Sequence, residues 1–257
     1  MQRSAVRPSP IFLGLLVVTV AGGFLAAYGD PTTLTGNRDP MFVAGVVLLV
    51  AGGWIVSLTL HEFGHAFVAF RGGDHEVAHK GYLSLDVRRY ADPVLSLVLP
   101  LVFLLIGGIP LPGGAVWINR GALRTRATAS WMSLAGPLTN LAAGAALCLV
   151  TMLVPMATGL FYAMSYLALL QVMTFLLNIL PVPGLDGWGA IEPYLSPQAR
   201  AFGARVRPWA PLALFALFFL FRPVSNLFWS VAGSIYGAIG GSELAGIVGQ
   251  SAFLFWR

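Results

Sequence analysis

The sequence predicts an all-α polytopic membrane protein of about six transmembrane helices, with a membrane-re-entrant hairpin between the second and third. Three observations carry this reading. Charged residues make up 10% of the 257 residues, where soluble domains carry roughly 25%. Hydrophobic residues reach 57% and the mean hydropathy is +0.80. The apolar residues fall into runs long enough to cross a bilayer as helices, separated by short stretches rich in Pro, Gly and Arg.

The first run, Ile11 to Tyr28, follows Arg3 and Arg7. It outlasts the apolar core of a signal peptide, and Ala26-Ala27 is its only weak cleavage site, so it reads as a retained membrane helix. A turn-rich loop, Gly29 to Pro40, leads into helix two, Met41 to Phe70. Arg71 to Pro93 is the most polar segment and a surface loop, in which the alternation of Gly81 to Val87 predicts a short strand. Val94 to Ile109 is short for a span, contains Pro100 and runs into Pro110, Pro112, Gly113 and Gly114. With the β-prone Ala115 to Ile118 behind it, it reads as the re-entrant hairpin, the rival being an extra span.

Helix three runs from about Thr128 to Leu153, with Gly136, Asn140 and Gly144 on one small-residue face. Helix four, Leu160 to Leu180, ends in Asn178-Ile179-Leu180-Pro181-Val182-Pro183-Gly184-Leu185-Asp186-Gly187. An amphipathic basic segment, Ala190 to Pro208, precedes helices five and six, Trp209 to Phe221 and Leu227 to Ile247. The whole chain, 1–257, reads as one membrane domain with a catalytic core over about 41–196 and C-terminal membrane helices over 197–257.

Six spans with the N-terminus inside place thirteen of the fifteen Lys and Arg residues on the inner side, leaving Arg38 and Arg222 outside. A seventh span at Val94 to Ile109 would move seven of the thirteen outward. The basic excess therefore sets topology, and nucleic-acid binding is not expected. The single cysteine, Cys148, excludes an intramolecular disulfide and sits in an apolar run as a packing residue.

Helix two carries His61-Glu62-Phe63-Gly64-His65 near its inner end. Residues four apart on a helix share a face, so both imidazoles can hold one zinc ion while Glu62 activates its water. Ionisable groups at this depth are expensive and mark function. A catalytic zinc ion needs a third protein ligand. Asp186, held in the break after helix four at matching depth, is the best candidate, and Glu192 is the runner-up. His75 and His79 repeat the four-residue spacing, but in a polar loop where histidine costs nothing. Asn140 is either an active-site amide or a hydrogen-bonding glue between membrane helices, and Asn178 reads as a helix-end cap.

With these residues in hand, the chain resembles the site-2 protease family of intramembrane zinc metalloproteases, in its compact bacterial branch without a PDZ or CBS domain. The matching stretches are His61 to His65, Ala135-Gly136-Pro137-Leu138-Thr139-Asn140, and Asn178 to Gly187 with its Pro-x-Pro-x-x-Asp-Gly pattern. The resemblance implies zinc on His61, His65 and Asp186 with Glu62 as catalytic base. It also implies a strand through Ala115, Val116 and Trp117 that pairs with an unwound substrate, with Asn140 beside the scissile peptide. The expected activity is cleavage of peptide bonds within or near transmembrane helices of single-span membrane proteins. The expected location is the cell membrane, multi-pass, with the N-terminus and active site toward the cytoplasm. A metal transporter using His61, His65 and Asp186 as a transit site is the alternative, and it requires further ionisable groups along a path across the membrane.

Overall fold

The computed structural model describes residues 6–32, 39–90, 104 and 116–256. Among them there is no strand, and four helices are long and apolar enough to cross a membrane. These are α1 (Pro10–Tyr28), α2 (Pro40–Gly72), α3 (Arg126–Leu153) and α4 (Thr158–Asn178). The first three start where the sequence provides a cap. Ser9, Asp39 and Thr125 each accept from a backbone N–H of the first turn, and Pro10 and Pro40 occupy starting positions where a missing N–H costs nothing.

Between helices in lipid, close packing and hydrogen bonds replace the hydrophobic effect as the source of association. Position 45 shows the device: a Cβ there would meet the backbone of Ala26, so glycine lets α1 and α2 touch main chain to main chain. The central helix is α4. In its most apolar window 67% of residues are buried inside the protein, against 17% for α1, which faces outward.

The polar loop after α2 folds as turns rather than the expected strand over Gly81 to Val87. Gly81 and Leu85 have positive φ (75° and 49°), which breaks the extended run. Asp86 then takes the Arg88 N–H on its side chain and starts a 3₁₀ turn, Val87–Arg89. The loop also holds the segment that leads into α1: Arg7 N–H donates to the Leu83 carbonyl and Ser9 Oγ to that of Leu85. The start of α1 and the motif end of α2 therefore share one face.

After the break that follows α4 come α5 (Asp186–Ile191), α6 (Pro197–Val206), α7 (Ala210–Leu220), α8 (Arg222–Ala238) and α9 (Glu243–Phe253). The expected two C-terminal spans are here three shorter helices. Pro223 opens α8 at a bend of 93°, so α7 and α8 make at most one broken span and the described spans number four or five rather than six. The expected Leu227 to Ile247 helix is cut at Gly240, whose φ of 88° ends it, and Ser242 caps α9. Both α8 and α9 return to α4, with Tyr236 Oη donating to the Ser165 carbonyl at 2.9 Å. Cys148 is buried in this packing, as its surroundings predict. The re-entrant hairpin expected over 94–109, and Ala115 with it, lie outside the described residues.

Candidate metal centre

Three helical elements bring the site together. α2 presents His61 and His65 one turn apart, their rings edge to face with centroids 4.7 Å apart. α4 ends at Asn178, and the chain turns back through Pro181, Pro183 and Gly184 (φ 103°) before α5 begins at Asp186. α3 backs both. Ser130 Oγ on α3 donates to the Ala190 carbonyl at 2.6 Å, fastening the short helix that carries the aspartate.

His61 Nε2 and His65 Nε2 stand 3.1 Å apart, and Asp186 Oδ2 lies 3.2 Å and 3.4 Å from them. No other group of three His, Cys, Asp or Glu side chains with ligand atoms this close occurs among the described residues. His75 and His79 lie on the loop outside this cluster, with His75 edge-on to Phe70. Glu192, the rival third ligand, forms an ion pair with Arg120 at 2.6 Å instead.

The opposite ring nitrogens are both held. His65 Nδ1 donates to the Met132 carbonyl at 2.7 Å and His61 Nδ1 to Asn140 Oδ1 at 2.5 Å. Pro137, with no N–H, leaves the carbonyl of Ser133 without its usual helical donor beside this contact. With both Nδ1 atoms donating, the two Nε2 atoms carry lone pairs directed at each other and at a carboxylate. Such a cluster is repulsive unless a proton or a metal cation lies among its members. Two imidazoles and a carboxylate are a donor set for zinc. Position 136 makes the room, since a Cβ there would fall on the Nε2 atoms of both histidines. The residues fit the ion.

Glu62 is buried at 2% exposure. Its carboxylate accepts from the Val116 N–H, while Oε2 has no partner among the described residues. A cavity of about 700 Å³ opens over these groups, bordered by Val116, Trp117, Ile118, Ser133, Asn178 and Arg207. Two ties hold its 116–119 wall to the loop after α2. Lys80 Nζ donates to the Trp117 carbonyl at 3.1 Å, and buried Asp74 accepts from the Asn119 N–H at 2.7 Å. Asn178 Nδ2 donates to the Thr174 carbonyl one turn back in its own helix, rather than to the free carbonyls at the helix end.

Asn140 lies behind His61, with its Oδ1 engaged by the ring and its Nδ2 donating to Gln171 Oε1 at 2.8 Å. Gln171, an amide midway along α4, and Ser133 are polar neighbours of the site that the sequence reading does not single out. The signal for Gln171 is present in the chain: it is the one amide of α4 that lies away from the helix end.

Substitution separates the two acids. Asp186→Ala removes a ligand atom and is expected to lower zinc affinity by more than the roughly 10–100-fold typical of losing an outer partner. Glu192→Ala breaks an ion pair whose arginine is 41% exposed, worth about 0–1 kcal/mol, and leaves zinc bound. Titration against a competing chelator reads both, and zinc loss from the Glu192 variant alone would reverse the assignment.

Three relatives are named for the chemistry that this donor set supports. The chain is 44% identical over 257 residues to the "Putative zinc metalloprotease Rip2" of Mycobacterium tuberculosis, covering 99% of this chain and 96% of that one. The protein of the same name in Mycolicibacterium smegmatis is 43% identical over 226 residues, 87% of this chain and 84% of its own. The "Putative zinc metalloprotease YwhC" of Bacillus subtilis is 31% identical over 178 residues, 64% of this chain and 77% of its own. No family model and no solved structure matches the chain.

Proposed function

The chain belongs to the site-2 protease family of intramembrane zinc metalloproteases, and from that premise we propose that it is a zinc endopeptidase cutting peptide bonds within or near transmembrane helices. The observation that carries the proposal is the conjunction at one end of α2. A three-ligand zinc site and a buried carboxylate with a free oxygen share a cavity that borders the 116–119 segment.

His61, His65 and Asp186 would hold a zinc ion, which would supply a Lewis acid for the scissile carbonyl and a water acidified to a pKa of about 7. The protein's own groups do the rest. Glu62 Oε2, unpartnered among the described residues, takes the proton of the attacking water and delivers it to the leaving amine. Asp186 and the two Nδ1 bonds keep both imidazoles facing the ion. A transmembrane helix hides its peptide bonds, so cleavage requires a few unwound residues. On the cavity wall the Val116 N–H serves Glu62 and the Trp117 carbonyl serves Lys80, which leaves the Val116 carbonyl and the Trp117 N–H to hold such a segment by strand addition. Trp117, 74% exposed, adds an aromatic face at the rim.

The protein is a multi-pass membrane protein. We place the site face toward the cytoplasm because Arg7, Arg71, Lys80, Arg88, Arg89, Arg120, Arg124 and Arg126 all lie at helix ends or loops on that face. The substrates are proposed to be single-span membrane proteins. The transporter reading needs ionisable groups strung across the spans. The four described span helices carry, inside their ends, only His61, Glu62 and His65 as such groups, all within two turns of one another.

The test is a panel of single-span proteins incubated with the purified, zinc-loaded protein in detergent or vesicles. Cuts mapped by mass spectrometry are expected inside the substrate's apolar stretch or at its edge, and a zinc chelator should stop them. Cuts confined to soluble loops, or insensitive to chelator, would sink the proposal.

A further inference from the structure

We propose that Gln171 and Asn140 form a two-amide relay that sets the tautomer of His61, making Gln171, on α4, a positioning residue for the zinc centre. The inference rests on the zinc reading above and extends it to a residue that touches neither metal nor cavity.

The chain of contacts runs Gln171 Oε1, Asn140 Nδ2, Asn140 Oδ1, His61 Nδ1, with links of 2.8 Å and 2.5 Å. All three residues are buried, at 1%, 1% and 5% exposure, so water does not compete for these bonds. An amide has one accepting end and one donating end, so the relay has two self-consistent directions. In the first, Gln171 accepts from Asn140 and Asn140 accepts from His61 Nδ1–H, which leaves the Nε2 lone pair free for zinc. In the second, both amides are turned over. Gln171 then donates to Asn140, Asn140 donates to the Nδ1 lone pair, and the proton moves to Nε2, where it blocks the metal.

Asn140 is symmetric between these directions, so it cannot choose by itself. The choice depends on which end of Gln171 faces it. In the structure the accepting end does, and Gln171 Nε2 is left buried without a partner among the described residues. A buried donor left without a partner destabilises the arrangement that orphans it. Turning the glutamine over would satisfy that N–H at Asn140 but would set the histidine in its metal-rejecting form. The orphaned N–H is the cost of keeping the productive direction, and zinc binding at Nε2 offsets it. Gly144 lets the two helices close on this contact, since a Cβ there would lie 3.2 Å from Gln171 Cβ.

The test compares variants that preserve direction with variants that preserve only volume, using zinc affinity of the full-length protein in detergent, by chelator competition. Asn140→Asp accepts from His61 Nδ1–H with one oxygen and from a turned Gln171 with the other, so it should bind zinc at least as tightly as wild type. Asn140→Leu and Gln171→Met fill the space without directing a proton, and each should lose about 10–100-fold. A packing role alone would not separate the aspartate from the leucine variant in this way. The cobalt-substituted protein gives a second readout, since its ligand-field spectrum should stay that of wild type in Asn140→Asp and shift in Gln171→Met. Should Asn140→Leu fail to fold, Gln171→Met carries the comparison, because it leaves the His61–Asn140 pair in place but undirected. Wild-type affinity in Gln171→Met, or equal losses in the aspartate and leucine variants, would overturn the relay. A wild-type protein that binds no zinc would instead overturn the reading beneath it.

Discussion

Glu62→Gln is expected to abolish peptide hydrolysis while leaving the zinc ion in place. The carboxylate is not among the three converging ligand atoms, so the metal has no reason to leave. The glutamine keeps the volume and keeps an oxygen for the Val116 N–H, so the cavity wall should hold its position. What it cannot do is accept a proton from the attacking water. General acid–base groups contribute roughly 10²–10⁴-fold, and the loss should be of that size. A buried carboxylate with one oxygen unpartnered costs several kcal/mol in the folded state. The same substitution should therefore leave the folded protein no less stable, and a higher melting temperature is the expected companion of the lost activity. The measurements are turnover of a single-span substrate, zinc content by elemental analysis, and thermal unfolding on the same preparation. Turnover equal to wild type would remove Glu62 from the mechanism. Lost zinc would make it a ligand instead.

The parts of this site that local geometry determines are legible in the amino-acid sequence. Helical spacing alone puts His61 and His65 on one face, and the Pro-x-Pro break after α4 announces that Asp186 lies at a helix end rather than within a span. Depth favours Asp186 over Glu192, and the Arg120 ion pair supplies a physical reason for the same choice. Partners set by packing are not legible. The periodicity of α3 puts Asn140 on an inward face, but does not say whether its amide meets a substrate, a helix or a histidine. That depends on how α2 and α4 sit on either side of it. Gln171 escapes a sequence reading because its neighbours Leu169, Leu170, Val172 and Met173 look like lipid-facing residues, whereas all of them are buried against protein. The C-terminal spans depart from expectation because average hydropathy reads through Gly240 and Gly241, where the chain turns out of α8 without adding any polarity.

Gly136→Ala should disable the metal centre with a single methyl group. In an open helix the same change favours the helical state by about 1 kcal/mol. Here the added Cβ would stand 2.5 Å from His61 Nε2 and closer still to His65 Nε2, the two atoms proposed to hold the metal. Overpacking of this kind costs about 1–3 kcal/mol, so the clash outweighs the gain in helix propensity. It can be relieved in two ways: α3 backs away from α2, or the rings swing aside. The first stretches the bonds from His61 and His65 to Asn140 and Met132, and the second spreads the ligand atoms directly. Either route dismantles the zinc site, so occupancy and turnover should both fall by at least about 100-fold, beyond the loss of one outer partner. The apoprotein, free to let the rings turn, should unfold within a few degrees of wild type. Gly144→Ala is the control on the same face of α3, because its Cβ would meet Gln171 Cβ and the Ala168 carbonyl at 3.2–3.3 Å rather than a ligand atom. A small shift accommodates that contact, so any loss through the Gln171–Asn140 bond should stay within the roughly 10–100-fold of an outer partner. If Gly136→Ala bound zinc as tightly as Gly144→Ala, the space beside the histidines would not be the metal's, and the site would have to lie elsewhere on the rings.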